Sequence, residues 1–148
     1  MIVMHGFLGS KVNWRTLCSK EGISNRRKCY LVEMRNHAAS DHHKDHDYNV
    51  MSDDVVRFAD HHQLERFTVM GHSMGGRTSM NLACRYPDRV DGVISVDAAP
   101  VDESSNSEAF GSFTTEMLNF MYSMKQDNPT ITNEEVTQLA RNKFKTKP

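Results

Sequence analysis

Long apolar runs are missing from this chain: no stretch approaches the roughly 20 residues that a membrane-spanning helix needs. A surplus of one charge sign is missing too. Lys and Arg number 18 against 19 Asp and Glu, a net charge of −1 with a pI near 6.7. That balance leaves no basic footprint for nucleic acid or an anionic membrane. Cysteine is scarce, and Cys18, Cys29 and Cys84 are an odd count at unrelated spacings without a C-x-x-C. They read as reduced thiols in an intracellular compartment. "MIVMHG" at the N-terminus has neither a charged n-region nor a long h-region, so it is not a secretory signal. It reads as a chain beginning in the middle of a sheet. Internal repeats and low-complexity linkers are absent, and 148 residues suffice for one modest core but not two.

What is present alternates between strand and helix. Ile2–Met4 is a strand signal ending at the turn "HGFLGS". Ser10 is placed to cap a short helix running to about Cys18, with Trp14, Leu17 and Cys18 facing inward. "CYLVEM" (29–34) is the next strand, followed by the polar loop "RNHAASDHHKDHDYN". Met51, Val55 and Phe58 recur at helical spacing within 50–62. "FTVMG" is a strand, 75–86 a helix stopped by Pro87, and "VDGVISVD" (90–97) a further strand. Alternating βαβα with continuously apolar strands predicts an α/β fold, a mostly parallel sheet covered by helices on both faces.

One turn stands out. Ser73 lies in G-H-S-M-G, with a strand before it and a helix after. A G-x-S-x-G arises by chance in such a chain about one time in twenty at average glycine and serine usage, so its context carries the weight. A nucleophilic serine belongs on a sharp strand-to-helix turn that projects Oγ above the sheet and aims the next N–H at the substrate oxygen. Gly71 and Gly75 would leave room for the crossing, and Gly76 would let the helix approach the sheet. The alternative is a Gly-rich turn with a capping serine. A second signal, the H-G-x-x-G of "HGFLGS", follows the first strand, where a loop can supply a backbone N–H to an oxyanion hole. The candidate donors are the N–H groups of Phe7 and Met74; the alternative is a plain strand-end turn.

The words "HGFLGSKVNW", "VEMRNHAAS", "VMGHSMGGRTSMNLA" and "VISVDAAPV", spread over residues 3–101, resemble the α/β-hydrolase superfamily. Within it they resemble the YbfF-like esterases and the α/β-hydrolase-domain-containing protein 11 group. That group usually reads D-x-R-N-H-G in the second word, whereas this chain has Glu33 and Ala38. The resemblance implies an incomplete α/β-hydrolase fold, with residues 1–101 a partial core and 102–148 the start of a helical lid. It implies a serine hydrolase of acyl esters or lipids such as diacylglycerol, working through an acyl-enzyme on Ser73 without cofactor. An acyltransferase and a non-catalytic binding protein or truncated isoform are the alternatives. It also implies a mitochondrial location. Asp97, closing "VISVD", would orient a catalytic histidine, as proposed for the group; many superfamily members carry the acid after the next strand, and an Asp capping the following turn is the bland alternative.

The chain order of such a site is serine, acid, histidine, yet none of the eight histidines follows position 72. The catalytic histidine is therefore expected not to be in this chain, which reads as a fragment. His72 is a poor substitute, because neighbouring side chains diverge on a strand and tight turn, and His37 is expected to tie loops together. "DHHKDHD" (41–47) invites a zinc hypothesis through His42, His43 and His46, but it sits in a polar loop without a convincing fourth ligand, so no metal is expected. Phe110, Phe113, Met117, Leu118, Phe120, Met121 and Met124 form a stripe at helical spacing, compatible with lid core or an acyl pocket. Thr132 or Asn133 is placed to cap the helix behind it.

Overall fold

Parallel pairing of four short strands organises the first part of the molecule. The structure, a computed structural model, describes residues 1–100, 116, 119–121 and 123–144. The chain divides into two compact units, Met1–Pro100 and Val101–Pro148. In the first, β1 (Ile2–Met4), β2 (Tyr30–Val32), β3 (Phe67–His72) and β4 (Val90–Val96) form one sheet in the order β2-β1-β3-β4, every pair parallel. Between them run α1 (Val12–Cys18), α2 (Glu21–Ser24), α3 (Tyr48–His61) and α4 (Met74–Arg85).

Alternation along the strands sorts side chains onto two faces. Ile2, Met4 and Val69 join Met51 and Val55 of α3 and Leu82 of α4 in the larger core cluster. Val3 and Met70 pack on the opposite face with Cys18 of α1, flanked by Trp14 and Leu31. Helices thus cover both faces, as the βαβα pattern predicts. Asp47 starts α3 by accepting the Asn49 and Val50 N–H groups at 2.8 and 2.9 Å, which sets the helix two residues ahead of the predicted start. The α3–α4 seam is closed by polar contacts: Ser52 Oγ to Asn81 Oδ1 at 2.8 Å, and Arg85 and Tyr86 donating to Asp53 at 2.6 and 2.5 Å. The Tyr86 and Arg85 hydrogen bonds hold the Asp53 carboxyl below the usual carboxylate range.

Four local expectations change. Ser10 does not cap α1: Asn13 Oδ1 reaches back to the Ser10 N–H at 2.7 Å, and Lys11 is the flanking residue. Leu17 does not face inward and is 38% exposed, because Cys18 and Trp14 take the side of α1 that meets the sheet. The strand predicted over 29–34 shortens to Tyr30–Val32, since the Met34 N–H leaves the ladder for His5 Nε2. Finally, β4 is apolar but not covered on both faces: Val93, Ile94 and Val96 are exposed, as β4 is the edge of the described sheet and α4 is the helix packed on it.

The second unit is described in part. Residues 123–127 are helical, and α5 (Asn133–Lys143) begins with a capping box in which Thr132 Oγ1 accepts the Glu135 N–H and Glu135 accepts the Thr132 N–H. Val136 and Ala140 are buried, and the Phe120 and Phe144 rings meet edge to face at 5.7 Å. Of the predicted stripe, Phe120, Met121 and Met124 are half-buried, while Phe110, Phe113, Met117 and Leu118 lie outside the described residues.

The burial pattern separates two leucines. Leu82→Ala, at a fully buried position, is expected to cost about 2–5 kcal/mol. Leu17→Ala should stay within about 0.5 kcal/mol. Urea unfolding followed by Trp14 fluorescence checks both, and equal losses would restore Leu17 to the core.

Candidate active site

Strand order sets the place. The chain leaves β1 for β2 on one side and returns to β3 on the other, so the connections after β1 and β3 diverge at the carboxyl ends of two adjacent strands. That divergence is where ligand crevices form in open α/β sheets. Met4 of β1 pairs with Gly71 of β3, which brings the loop His5–Ser10 beside His72 and Ser73.

The turn from β3 into α4 is a backbone-on-backbone crossing. A Cβ on Gly71 would lie 2.1 Å from the Gly75 carbonyl carbon and 2.6 Å from the Gly76 nitrogen. A Cβ on Gly75 would lie 2.7 Å from the His5 carbonyl oxygen at the end of β1. Side chains are excluded at both positions, and the crossing leaves Ser73 at φ 50° and ψ −112°. A non-glycine residue held there costs on the order of 1–3 kcal/mol. Its own backbone bonds offset this: the Ser73 N–H donates to Val96 O at 3.0 Å, and the Ser73 carbonyl accepts the Arg77 N–H at 3.0 Å. The serine is not a capping residue, for its side chain makes no cap hydrogen bond. The residue is half-buried.

The β1 loop is held from the other side. The Gly9 N–H donates to Gly6 O at 2.9 Å, and Leu8 adopts φ 57°. The Leu8 N–H donates to His37 Nε2 at 3.2 Å, and the Phe7 ring meets the His37 ring edge-on at 5.7 Å. His37 therefore ties the two loops together, as its place in "RNHA" predicts. Trp14 Nε1 donates to Met4 O at 2.9 Å, which anchors α1 to the end of β1. Among the described residues, neither the Phe7 nor the Met74 N–H has a protein acceptor. A cavity of about 280 Å³ lies between loop and turn, lined by His5, Gly6, Phe7, Asn13, Trp14 and His72 among others.

The histidines divide into two kinds. His5 is fully buried: Nε2 accepts the Met34 N–H at 3.1 Å and Nδ1 lies 2.8 Å from Gly6 O. His37 repeats the arrangement, with Nε2 on Leu8 and Nδ1 2.9 Å from Arg35 O. Accepting at Nε2 and donating from Nδ1 requires the neutral ring. Desolvation is the main cause that holds both below the ordinary 6.5; His37 adds to it at His5 and His42 at His37, while the Gly6 and Arg35 carbonyls act the other way. Sequence reasoning missed this role for His5, although its place directly before Gly6 in the loop motif was the available signal. His72 and Asp97 are both exposed and face each other at 3.8 Å, Nε2 to Oδ2. Asp97, directly after β4, is 90% exposed at its side chain and sits at φ 50°. Among the described residues no hydrogen bond joins Ser73 Oγ to His72. His43 pairs with Asp45 at 3.5 Å and His46 meets Asn36 at 3.1 Å, and no described group of three such side chains could hold a metal ion.

A parallel sheet with helices on both faces, and a serine on a strained strand-to-helix turn at its carboxyl edge, define an α/β-hydrolase architecture. The chain belongs to that family: the family described as alpha/beta hydrolase fold matches residues 1–145. It is 34% identical to ethanol acetyltransferase 1 of Kluyveromyces marxianus, over 70% of this chain and 28% of that protein. It is 35% identical to the sn-1-specific diacylglycerol lipase ABHD11 of Mus musculus, over 79% of this chain and 38% of that protein. The chain thus spans about a third of the length of the curated relatives it matches. Among solved structures it is similar to a marine microorganism esterase, with a TM-score of 0.71 at 27% identity, over 99% of this chain and 59% of that one.

Two stability experiments follow from this geometry. Because His5 and His37 are neutral when folded and free to protonate when unfolded, the unfolded chain binds more protons below pH 6.5. Their contribution is fully present above 6.5 and is lost as pH falls through the lowered folded-state values. The urea midpoint should fall from roughly pH 7.5 to pH 5, and His37→Gln should flatten the slope. A midpoint that does not move would contradict the neutral pair. Second, Ala38 sits at φ 48°, where the resembled group usually carries glycine. Left-handed backbone costs a non-glycine residue about 1–2 kcal/mol, and glycine's extra unfolded-state freedom returns about 0.4–1. Ala38→Gly is expected to stabilise by about 0.5–1 kcal/mol in the same assay.

Proposed function

We propose that this chain carries the nucleophile side of a serine carboxylic-ester hydrolase acting on acyl esters or lipids such as diacylglycerol. The observation that supports it most is the backbone of Ser73: a strained serine at a strand-to-helix crossing, its Oγ not used as a cap. In this reading Ser73 Oγ attacks the acyl carbonyl while a base takes its proton. The Phe7 and Met74 N–H groups receive the oxyanion, and the alcohol leaves. Water then attacks the acyl-enzyme, giving the acid and free Ser73. Asp97 is the acid that orients the base, its carboxylate lying beside the turn that holds Ser73. The similarity to a diacylglycerol lipase and to an esterase structure agrees with this substrate class.

The base is not assigned to any of the eight histidines. His5 and His37 have both ring nitrogens committed to backbone partners, and His72 faces Asp97 instead of Ser73 Oγ. A second reading, acyl transfer to an alcohol, is favoured by the similarity to ethanol acetyltransferase 1; an alcohol takes the place of water at the same acyl-enzyme.

Loss of one triad member typically costs on the order of 10⁴- to 10⁶-fold in turnover. The 148-residue chain should therefore hydrolyse a p-nitrophenyl acyl ester barely above background, unchanged by His37→Ala or His72→Ala. Joined to the part of the mouse lipase that follows the matched region, it should label with a serine-directed fluorophosphonate, and Ser73→Ala should abolish that labelling. Undiminished labelling of the Ser73→Ala protein would place the nucleophile elsewhere. Ethanol added to the joined protein with an acyl donor separates the two readings, by whether acid or ethyl ester accumulates.

A further inference from the structure

Cys18 and Cys29 have no part in acyl transfer, yet the fold sets them together. Cys18 closes α1, Cys29 directly precedes β2, and α1 packs on β2. Cys18 is buried beside Val3 and Met70, and the half-exposed Cys29 packs against the same cluster. The two residues share one apolar cluster and line one cavity, and Cys29 Sγ donates to Arg27 O at 3.7 Å. Burial, with the Cys29 sulfur beside it, pushes the Cys18 thiol up to about 11, so Cys18 waits as a thiol while Cys29 is the sulfur that solvent reaches. Both sulfur-bearing residues line a cavity of about 320 Å³ on the face opposite α3 and α4, together with Arg15, Arg27, Lys28, Ser19 and Ser24. Three cations and two hydroxyls form a basic vestibule that attracts carboxylate-bearing small molecules.

We propose that Cys18 and Cys29 form a reversible dithiol–disulfide site whose oxidant is an anionic low-molecular-weight disulfide, admitted to Cys29 through this basic cavity. Cys29, as thiolate, attacks one sulfur of the small disulfide. The S–S bond breaks, one half leaves as a thiolate that takes up a proton, and the protein keeps a mixed disulfide. Cys18 then gives its proton to solvent and attacks Cys29 Sγ, expelling the second half as a thiol. Two protein thiols lose two electrons in all, and the small disulfide is reduced to two thiols. The new bond ties the end of α1, the helix that follows the Phe7 loop, to the start of β2. Closing so short a loop constrains the unfolded chain.

The test uses the 148-residue chain with Cys84→Ser, which removes the exposed third thiol. The chain is equilibrated in glutathione redox buffers, quenched by alkylation and digested with trypsin. The site predicts one cross-linked product joining residues 16–20 to 29–35. It should form in native buffer at an oxidised-to-reduced ratio roughly tenfold lower than in high urea, because the fold pre-positions the pair. Oxidation should raise the melting temperature by roughly 5 °C, reversed by dithiothreitol. Arg27→Glu with Lys28→Glu should slow the reaction with glutathione disulfide but not with cystamine, a cationic disulfide. Stable mixed disulfide at Cys29 without the internal link, or equal link formation in native buffer and urea, would overturn the site. Equal rates with the two disulfides, unmoved by charge reversal, would overturn the choice of an anionic oxidant.

Discussion

Everything at the carboxyl edge of the sheet depends on how closely one peptide passes another between β3 and α4. Gly71 and Gly75 leave no space for a side chain, and the end of β1 presses on the same point through the His5 carbonyl. The crossing forces Ser73 into a conformation that side chains avoid and holds it there with two backbone hydrogen bonds. The strain is local, and the serine side chain makes no hydrogen bond to the helix start. Among the described residues the Met74 amide, first in the helix, has no protein acceptor.

The β1 loop is the second half of that crevice, and it is positioned by histidines that stay uncharged. His5 joins the loop to the end of β2, and His37 reaches back from the β2 loop to Leu8. The His5–His37 and His37–His46 ring centroids lie 5.0 and 5.9 Å apart, so three imidazoles cluster beneath a loop that needs fixed amides. Arg35 adds an ion pair to Asp54 at 2.5 Å, which ties the same segment to α3. The region reads at first as a chain rich in titratable groups; folded, its buried His5 and His37 accept backbone N–H groups through Nε2.

Particular residues show how much was legible beforehand. The parallel α/β layout followed from apolar strands alternating with helical spacing, and the serine turn followed from glycines at two offsets. Helix α3 came from Met51, Val55 and Phe58, and Thr132, one of the two candidate caps, is the one that starts α5. What failed was of one kind. Leu17, Ser10 and the ends of β2 were assigned from local pattern, and each was overruled by a partner distant in sequence or by a competing side chain. The apolar run of β4 was read as a strand covered on both faces, but strand order put it at the edge of the described sheet.

The fold family, the strand and helix periods and the residue types at the turn can be read from the residues in order, because hydrophobic period and the space around a glycine are local properties. The packed fold was needed to see that His5 and His37 are neutral struts, that Asp97 stands exposed beside His72, and that Cys18 and Cys29 share one cluster. Those depend on which strands become neighbours, and the neighbour order β2-β1-β3-β4 is set by the packing of helices on two faces, which no short window of residues contains.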